Sequence, residues 1–498
     1  MRHSNCTYSY YTTYRRMAWF ILIILFLFTR IALLGALPIF NDEATYLRWG
    51  WEMIHGIKPW WYSIVINGKP PLTMILYGLA QLIPVDPLLA GRFLAICFSA
   101  CTLIFSLKTY AILFPKRSAL FYGILLLFNP FLLFFDRLAL SEVIITAFGS
   151  LILYAGLQYV QTKHITWIIV IACALGIGWW VKATIFVCIP ALCLMGVWLG
   201  IKEKISWKKM MQDVIVGILL TLLLIYPGSF HPVFPVIDAG VAKWVFSFRE
   251  IFQFPVSVWG NNMVHIAAWL FMFPTPIFIV FWIVGAFCLC KQPRYRNIFL
   301  FYSAWVGIPI ILFLFFGKNL TARYFVIIMP QLTMLSALVF HTKLFQSFVI
   351  LFFAGVSAII IIAPQQYFQM ISIVPRAYFD MAQYMTGWPS GYGVREAIGF
   401  VENEAQKKRL VLFVRNDTGN PEDAVFVYCR NNPRILIVPV ITKEDIANTL
   451  LLVSKEIPFY FLSRGPALLD MKEELIELAR FPKPDGVEYI GVYRLERK

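Results

Sequence analysis

The stretch "IFNDEATYLRWGWEMIHGIKPWW", residues 39–61, leaves a long apolar run and at once presents two adjacent carboxylates, Asp42 and Glu43. The run before it begins "MAWFILIILFLF" at Met17. It is the first of many stretches of about 20 apolar residues between Met17 and Ala363, each long enough to cross the hydrocarbon core of a bilayer. The chain of 498 residues is 60% hydrophobic and only 14% charged, whereas soluble domains carry about 25% charged residues. A polytopic α-helical membrane protein is the class that fits. The first run lacks a small-residue cleavage site and is read as a retained helix, not a signal peptide.

The formal net charge is +16. Lys and Arg collect in short loops, as cytoplasmic connections do, so nucleic acid is not the expected partner. The nine cysteines show no metal-ligand spacing and no disulfide framework. With Arg2, Arg15 and Arg16 cytoplasmic, about eleven spans follow: Met17–Leu37, Leu88–Leu113, Ala119–Phe135, Leu140–Val160, Ile165–Val181, Thr184–Leu199, Val214–Tyr226, Val264–Cys290, Ile298–Phe316, Tyr324–Phe340 and Phe345–Ala363. The basic connections "PKRS", "QTKH", "IKEKISWKKM", "KQPRYR" and "HTK" then fall on the cytoplasmic side. "KPPLTMILYGLAQLIP" is short and bounded by prolines, which suits a helix lying along the outer interface.

The composition changes after Ala363. The expected division is a membrane domain over 1–365 with a catalytic outer loop at 39–87, a linker at 366–394, and a small extracytoplasmic α/β domain over 395–498. In the last of these, "KKRLVLFVRND", "RILIVPV", "IPFYFLS" and "VEYIGVYRLE" read as strands. "VREAIGFVENEAQ", "TKEDIANTLLLVSKE" and "LLDMKEELIELAR" read as amphipathic helices. No Gly-rich phosphate loop and no nucleophile elbow occur there, so an accessory role, such as acceptor recognition, is expected.

This topology gathers ionisable residues on the outer face: Asp42, Glu43, Lys69 in "NGKPPL", Asp136 and Arg137 in "FFDRLALSE", Glu142, Lys182 in "GWWVKAT", and Arg323 beside Tyr324 in "LTARYF". Charges at membrane depth are costly and usually mark a site or its counter-ions. Carboxylates suit a general base or a divalent cation, and Lys and Arg suit a phosphate. The mixture points to chemistry on a lipid phosphate. Each residue also has a plainer reading. Asn41 or Asp42 could cap a helix, Asp136–Arg137 could be a local ion pair, and Lys69 and Arg323 could snorkel to headgroups. Arg30, inside the first span, could reach either the interface or the site. The aromatic clusters "WGW" and "PWWY" suit an interfacial belt or a stack on sugar rings.

In their order along the chain, "NDEATYLRWGWEMIHG", "NGKPPL", "LLAGRFLAICFSACTL", "DRLALSEVII", "GWWVKAT" and "ARYFVIIMPQL" resemble the GT-C glycosyltransferases over about residues 17–340. The nearest branches are the dolichyl-phosphate-mannose protein mannosyltransferases and the bacterial aminoarabinose transferases (glycosyltransferase families 39 and 83). The resemblance implies an inverting enzyme that moves a sugar from a polyprenyl-phosphate carrier to an extracytoplasmic protein, lipid or glycan. It makes Asp42 the general base, Asp136 the second outer-loop acid, Lys69 the carrier-phosphate lysine and Lys182 the basic residue after the middle apolar span. The other outer-face groups are read from the residues themselves: Glu43 as a further catalytic acid, Arg137 and Arg323, with Lys182, as phosphate ligands, and Glu142 and Tyr324 as supporting groups. No cofactor is fixed by the pattern; a divalent cation on the carboxylates stays open. The loop at 228–262 is too short for the sugar-binding repeats of the eukaryotic protein mannosyltransferases. The rival reading is a transporter or flippase of an anionic lipid-linked substrate. That reading expects inverted repeats and a midplane site, and no repeat is seen.

Overall fold

The computed structural model describes residues 3–202, 206–233, 236, 240–291, 296–340, 342–373, 378–415, 419–454, 456–464 and 475–496. The chain divides into two compact units. One holds residues 1–34, 61–73 and 93–363, and the other 35–60, 74–92 and 364–498.

The first unit is helical. Five helices among the described residues are long and apolar enough to cross a membrane: Pro87–Leu113, which begins in the second unit, Ser141–Thr162, Trp207–Tyr226, Ile298–Phe316 and Lys343–Ile362. The apolar pair Val256–Met272 and Pro276–Lys291 is bent by 97°, and Met17–Ile31, Thr166–Val181 and Ala183–Val197 are shorter apolar helices. Buried polar side chains mark where helices end. Asn129 accepts from the backbone N–H groups of Phe131 and Leu132, at 3.0 and 3.2 Å, and starts the short helix Pro130–Phe135. Its amide donates to Thr333 Oγ1 at 2.8 Å. A helix end away from water needs such partners. The helix Thr166–Val181 stops because Lys182 turns extended, and the hydroxyl of Thr73 donates to the Val181 carbonyl at 3.0 Å.

The second unit joins the stretch after the first apolar run to the C-terminal part of the chain. Its centre is a five-stranded sheet of β1 (Leu410–Arg415), β2 (Ile435–Val440), β3 (Phe459–Arg464), β4 (Leu475–Pro482) and β5 (Tyr489–Leu495), in the order β2-β1-β3-β5-β4. β1 runs parallel to β2 and β3, while β5 is antiparallel to β3 and β4. Alternating residues Val411, Phe413, Phe459, Phe461, Tyr493 and Leu495 point to one core with Val440 and Ile446, as the period of two in a strand requires. The four stretches read as strands form β1, β2, β3 and β5. "LLDMKEELIELAR" differs from its helical reading: Leu475–Pro482 is the edge strand β4, and residues 468–474 lie outside the described residues. The stretch expected as a linker carries the helices Pro364–Ile371 and Tyr378–Met381.

The helix Asn41–Ile54 belongs to this unit and crosses Leu72–Ala80 at two glycines. A Cβ on Gly50 would sit 2.1 Å from the Met74 carbonyl oxygen, and one on Gly78 would sit 2.3 Å from that of Gly50. Neither backbone can give way cheaply, so Gly50→Ala should lower stability by about 1–3 kcal/mol, the usual cost of overpacking. Gly399, on the helix Val394–Lys407, has open space beside it, and Gly399→Ala should stabilise by up to about 1 kcal/mol. Thermal unfolding of the purified variants checks both; equal melting temperatures for the two would show that the crossing is loose.

Candidate active site

The helix Asn41–Ile54 begins after Phe40, whose backbone is extended and which is the N-cap. Neither Asn41 nor Asp42 caps it. Asp42 stands in the first turn, and Glu43 reaches back one turn to accept the Phe40 N–H at 2.9 Å. A carboxylate in the first turn also meets the positive end of the helix dipole. Glu43 is fully buried and forms a two-pronged pair with Arg92: Nε to Oε1 at 2.9 Å and Nη2 to Oε2 at 2.7 Å. The same guanidinium donates to the carbonyls of Leu37 at 2.7 Å and Pro38 at 3.2 Å. One arginine therefore ties the approach to the helix to the helix's own first turn. Arg92 was not singled out in the sequence, although an arginine in the apolar run "LLAGRFLAICF" is the sort of ionisable residue that signals a partner.

In the first unit, a second cluster forms around Glu142, in the first turn of Ser141–Thr162. Its Oε1 lies 2.6 Å from Lys182 Nζ and 3.2 Å from Arg323 Nε. Ser141 donates to Oε2 at 3.0 Å. Lys182 Nζ stands 4.6 Å from the centre of the Tyr324 ring, within cation–π range. Four residues singled out from sequence meet here from three distant stretches of chain. Two cations share one carboxylate, so the trio sums to one positive charge. Lys182 comes from the break after Val181, and Arg323 from the turn of 3-10 helix Ala322–Ile328. Both are placed by backbone irregularities, not by regular helix.

The remaining residues take other positions in this unit. Asp136 pairs with Arg30, Oδ2 to Nη2 at 2.9 Å, and both are buried. Arg30 also donates to Thr29 Oγ1 at 3.1 Å and the Leu127 carbonyl at 2.5 Å. Arg137 donates to the carbonyls of Thr29 at 2.9 Å and Leu33 at 3.0 Å, closing the end of the first helix. The local Asp136–Arg137 pair is thus replaced by a pair with the arginine of the first helix. Lys69 is half-buried in a turn where its N–H bonds the Ser63 carbonyl at 3.3 Å and its carbonyl takes the Ser63 hydroxyl at 2.9 Å. Gly68, at φ +63°, precedes it, and a Cβ there would lie 2.5 Å from the Cα of Gly240. Among the described residues, no three His, Cys, Asp or Glu side chains gather as metal ligands.

Comparisons with known proteins agree with this architecture. Residues 68–231 match the family model described as dolichyl-phosphate-mannose-protein mannosyltransferase. No curated protein matches the chain by sequence. The fold is similar to that of ArnT from Cupriavidus metallidurans bound to undecaprenyl phosphate, at 15% identity and a TM-score of 0.59, with 97% of this chain and 98% of that one covered. It is also similar to the Archaeoglobus fulgidus oligosaccharyltransferase solved with Zn and sulfate, at 12% identity and a TM-score of 0.53, over 90% of this chain and 67% of that one. The fold is thus similar to that of these two proteins, with several apolar helices and a small C-terminal sheet domain. Fold and family match together support a GT-C membrane glycosyltransferase.

The Glu43–Arg92 pair gives a direct test. Arg92→Met keeps the apolar stem but leaves Glu43 buried without its cation, a change that costs about 3–5 kcal/mol at such pairs. The melting temperature of the purified variant should fall steeply, and Arg92→Lys should recover little, since an ammonium cannot make the planar two-pronged contact. A wild-type melt for Arg92→Met would show the pair to be dispensable.

Proposed function

We propose that the protein transfers a sugar from a polyprenyl-phosphate carrier to an acceptor on the extracytoplasmic side of the membrane. The observation that carries this reading is the Lys182–Glu142–Arg323 trio, a preassembled cationic group next to an aromatic ring. It belongs to a chain whose fold is similar to that of a protein solved with undecaprenyl phosphate. In this reading, Lys69, Lys182 and Arg323 bind the phosphate that leaves. Glu142 holds Lys182 and Arg323 in register. Asp42 is the general base.

The reaction is a single displacement at the anomeric carbon. The acceptor's nucleophile gives its proton to Asp42 as it attacks. The bond from the anomeric carbon to the phosphate oxygen breaks, and the carrier phosphate departs with the electron pair. Fixed cations lower the barrier by answering the charge that develops on that oxygen. One displacement inverts the anomeric configuration. Glu43 and Asp136, each held by a buried arginine, take no chemical step and act as supports of the structure.

Asp42→Asn keeps the size and the helix position but removes the basic oxygen. Turnover of a polyprenyl-phosphate sugar by the purified variant should fall by about 10²–10⁴-fold, while carrier binding survives. Near wild-type turnover would take Asp42 out of the mechanism. Lys182→Ala should instead weaken carrier-phosphate binding. A charged hydrogen bond contributes about 1.5–3 kcal/mol, or about ten- to hundred-fold in Kd. Titration of polyprenyl phosphate into the detergent-solubilised protein, read by native mass spectrometry, measures it. Unchanged affinity would confine Lys182 to a structural role.

A further inference from the structure

The helix that carries Asp42 is held by residues from the far end of the chain. Asn420 donates its backbone N–H to the Asn41 side-chain oxygen at 3.0 Å, and its amide to the Ile39 carbonyl at 2.8 Å and the Pro389 carbonyl at 3.1 Å. The Asn41 N–H donates to that same Pro389 carbonyl at 3.0 Å. One helical turn on, Asp423 accepts from the Thr45 hydroxyl at 2.6 Å and from Arg48 Nη1 at 2.8 Å. The Gly419 N–H donates to the same carboxylate at 2.7 Å. Arg48 also lies 3.6 Å from the centre of the Phe426 ring and bonds Glu52 at 3.0 Å. Asn420 and Asp423 are fully buried, and Thr45 is nearly so.

The approach leaves no slack. A Cβ on Gly419, at φ +105°, would overlap Asn41 Oδ1 at 1.4 Å, and one on Gly391 would lie 2.0 Å from the Ile39 carbonyl oxygen. The backbone before Asp42 and the side chains at the next turn are thus fixed together by the 389–391 and 419–426 segments. Burial pushes the Asp423 carboxyl up from its ordinary value, against the pull of Arg48, Thr45 and the Gly419 N–H. An acid held in so dry a setting is costly to leave without its partners.

We propose that the C-terminal domain acts as a latch that positions the helix bearing Asp42, with Asn420 and Asp423 as positioning residues, so that turnover depends on this domain even where no acceptor contact is involved. The inference rests on the reading of Asp42 as base. A base must stand within hydrogen-bond reach of the proton it takes, and misplacement by about 1 Å can cost on the order of 10²-fold. A loosened latch therefore acts on kcat. The carrier-phosphate ligands lie on other segments of chain, so KM for the carrier-linked sugar stays where it is.

The test compares Asp423→Asn, Thr45→Val and Thr45→Ser in the full-length purified protein. Thr45→Val is nearly isosteric and leaves the Asp423–Arg48 pair in place, so it reads the latch even if Asp423→Asn fails to fold. Thr45→Ser restores the hydroxyl. Both disruptive variants should lower kcat by about tenfold with KM for the polyprenyl-phosphate sugar unchanged. Amide hydrogen exchange over residues 41–54 should speed up, and Thr45→Ser should return both measures toward wild type. Wild-type kcat in folded Thr45→Val and Asp423→Asn, or an effect confined to KM, would overturn the latch. Asp42→Asn in the same assay separates the two claims. If it is inactive while the latch variants are normal, only the latch fails. If it turns over normally, the base assignment fails and the latch with it.

Discussion

The pair between Glu43 and Arg92 decides the shape of the chain where the first apolar run ends. Taking a carboxylate and a guanidinium out of water costs several kcal/mol for each ion. Two parallel hydrogen bonds between them, at 2.9 and 2.7 Å, offset that only because the remaining donors also find partners. Arg92 spends them on the Leu37 and Pro38 carbonyls, and Glu43 spends its spare capacity on the Phe40 N–H. The result is one conformation from Leu37 to Glu43. Asp42 sits between Glu43, held by Arg92, and Asn41, held by Pro389 and Asn420. Its backbone has a fixed neighbour on either side.

The same rule against lone buried charge organises the helical unit, with two different outcomes. Arg30 and Asp136 form a neutral pair, completed by carbonyl and hydroxyl partners, in the manner of a structural tie. Glu142 instead takes both Lys182 and Arg323. A trio with an excess of cation suits an anion, whereas a balanced pair offers none of that attraction. This contrast separates residues that sequence alone places in one list. Arg137, whose donors go to the Thr29 and Leu33 carbonyls, differs in this from Lys182 although both stand beside helix ends.

Several apolar helices and four of the five strands were legible in the sequence, because hydropathy and the period of two are local signals; the run read as one span, Val264–Cys290, instead covers the break at which Val256–Met272 and Pro276–Lys291 bend by 97°. β4 was not. Its Glu, Leu and Ala residues favour a helix in isolation, but pairing with β5 from Leu475↔Leu495 to Pro482↔Tyr489 overrides that preference, as context does at sheet edges. Lys182, Glu142, Arg323 and Tyr324 could be listed from sequence, since charges flanked by apolar residues stand out, and the structure brings them together. Arg92 carries the same signal, an arginine within an apolar run. The latch carried none: Thr45 and Asp423 are 378 residues apart, and Asn, Thr and Asp are residue types that mostly lie at surfaces.

That the latch is polar is itself informative. An apolar contact between the C-terminal domain and the Asn41–Ile54 helix would tolerate sliding, because dispersion contacts are individually weak and lack direction. A hydrogen bond is satisfied only over a few tenths of an ångström and within a limited angle. Asn420 and Asp423 together accept or donate at Ile39, Asn41, Thr45 and Arg48, which fixes both the axial position and the rotation of the helix about its axis. Rotation is the coordinate that decides where a side chain at Asp42 is aimed. A domain that only covered the helix could leave that coordinate loose; one that bonds it at both its first and second turns cannot.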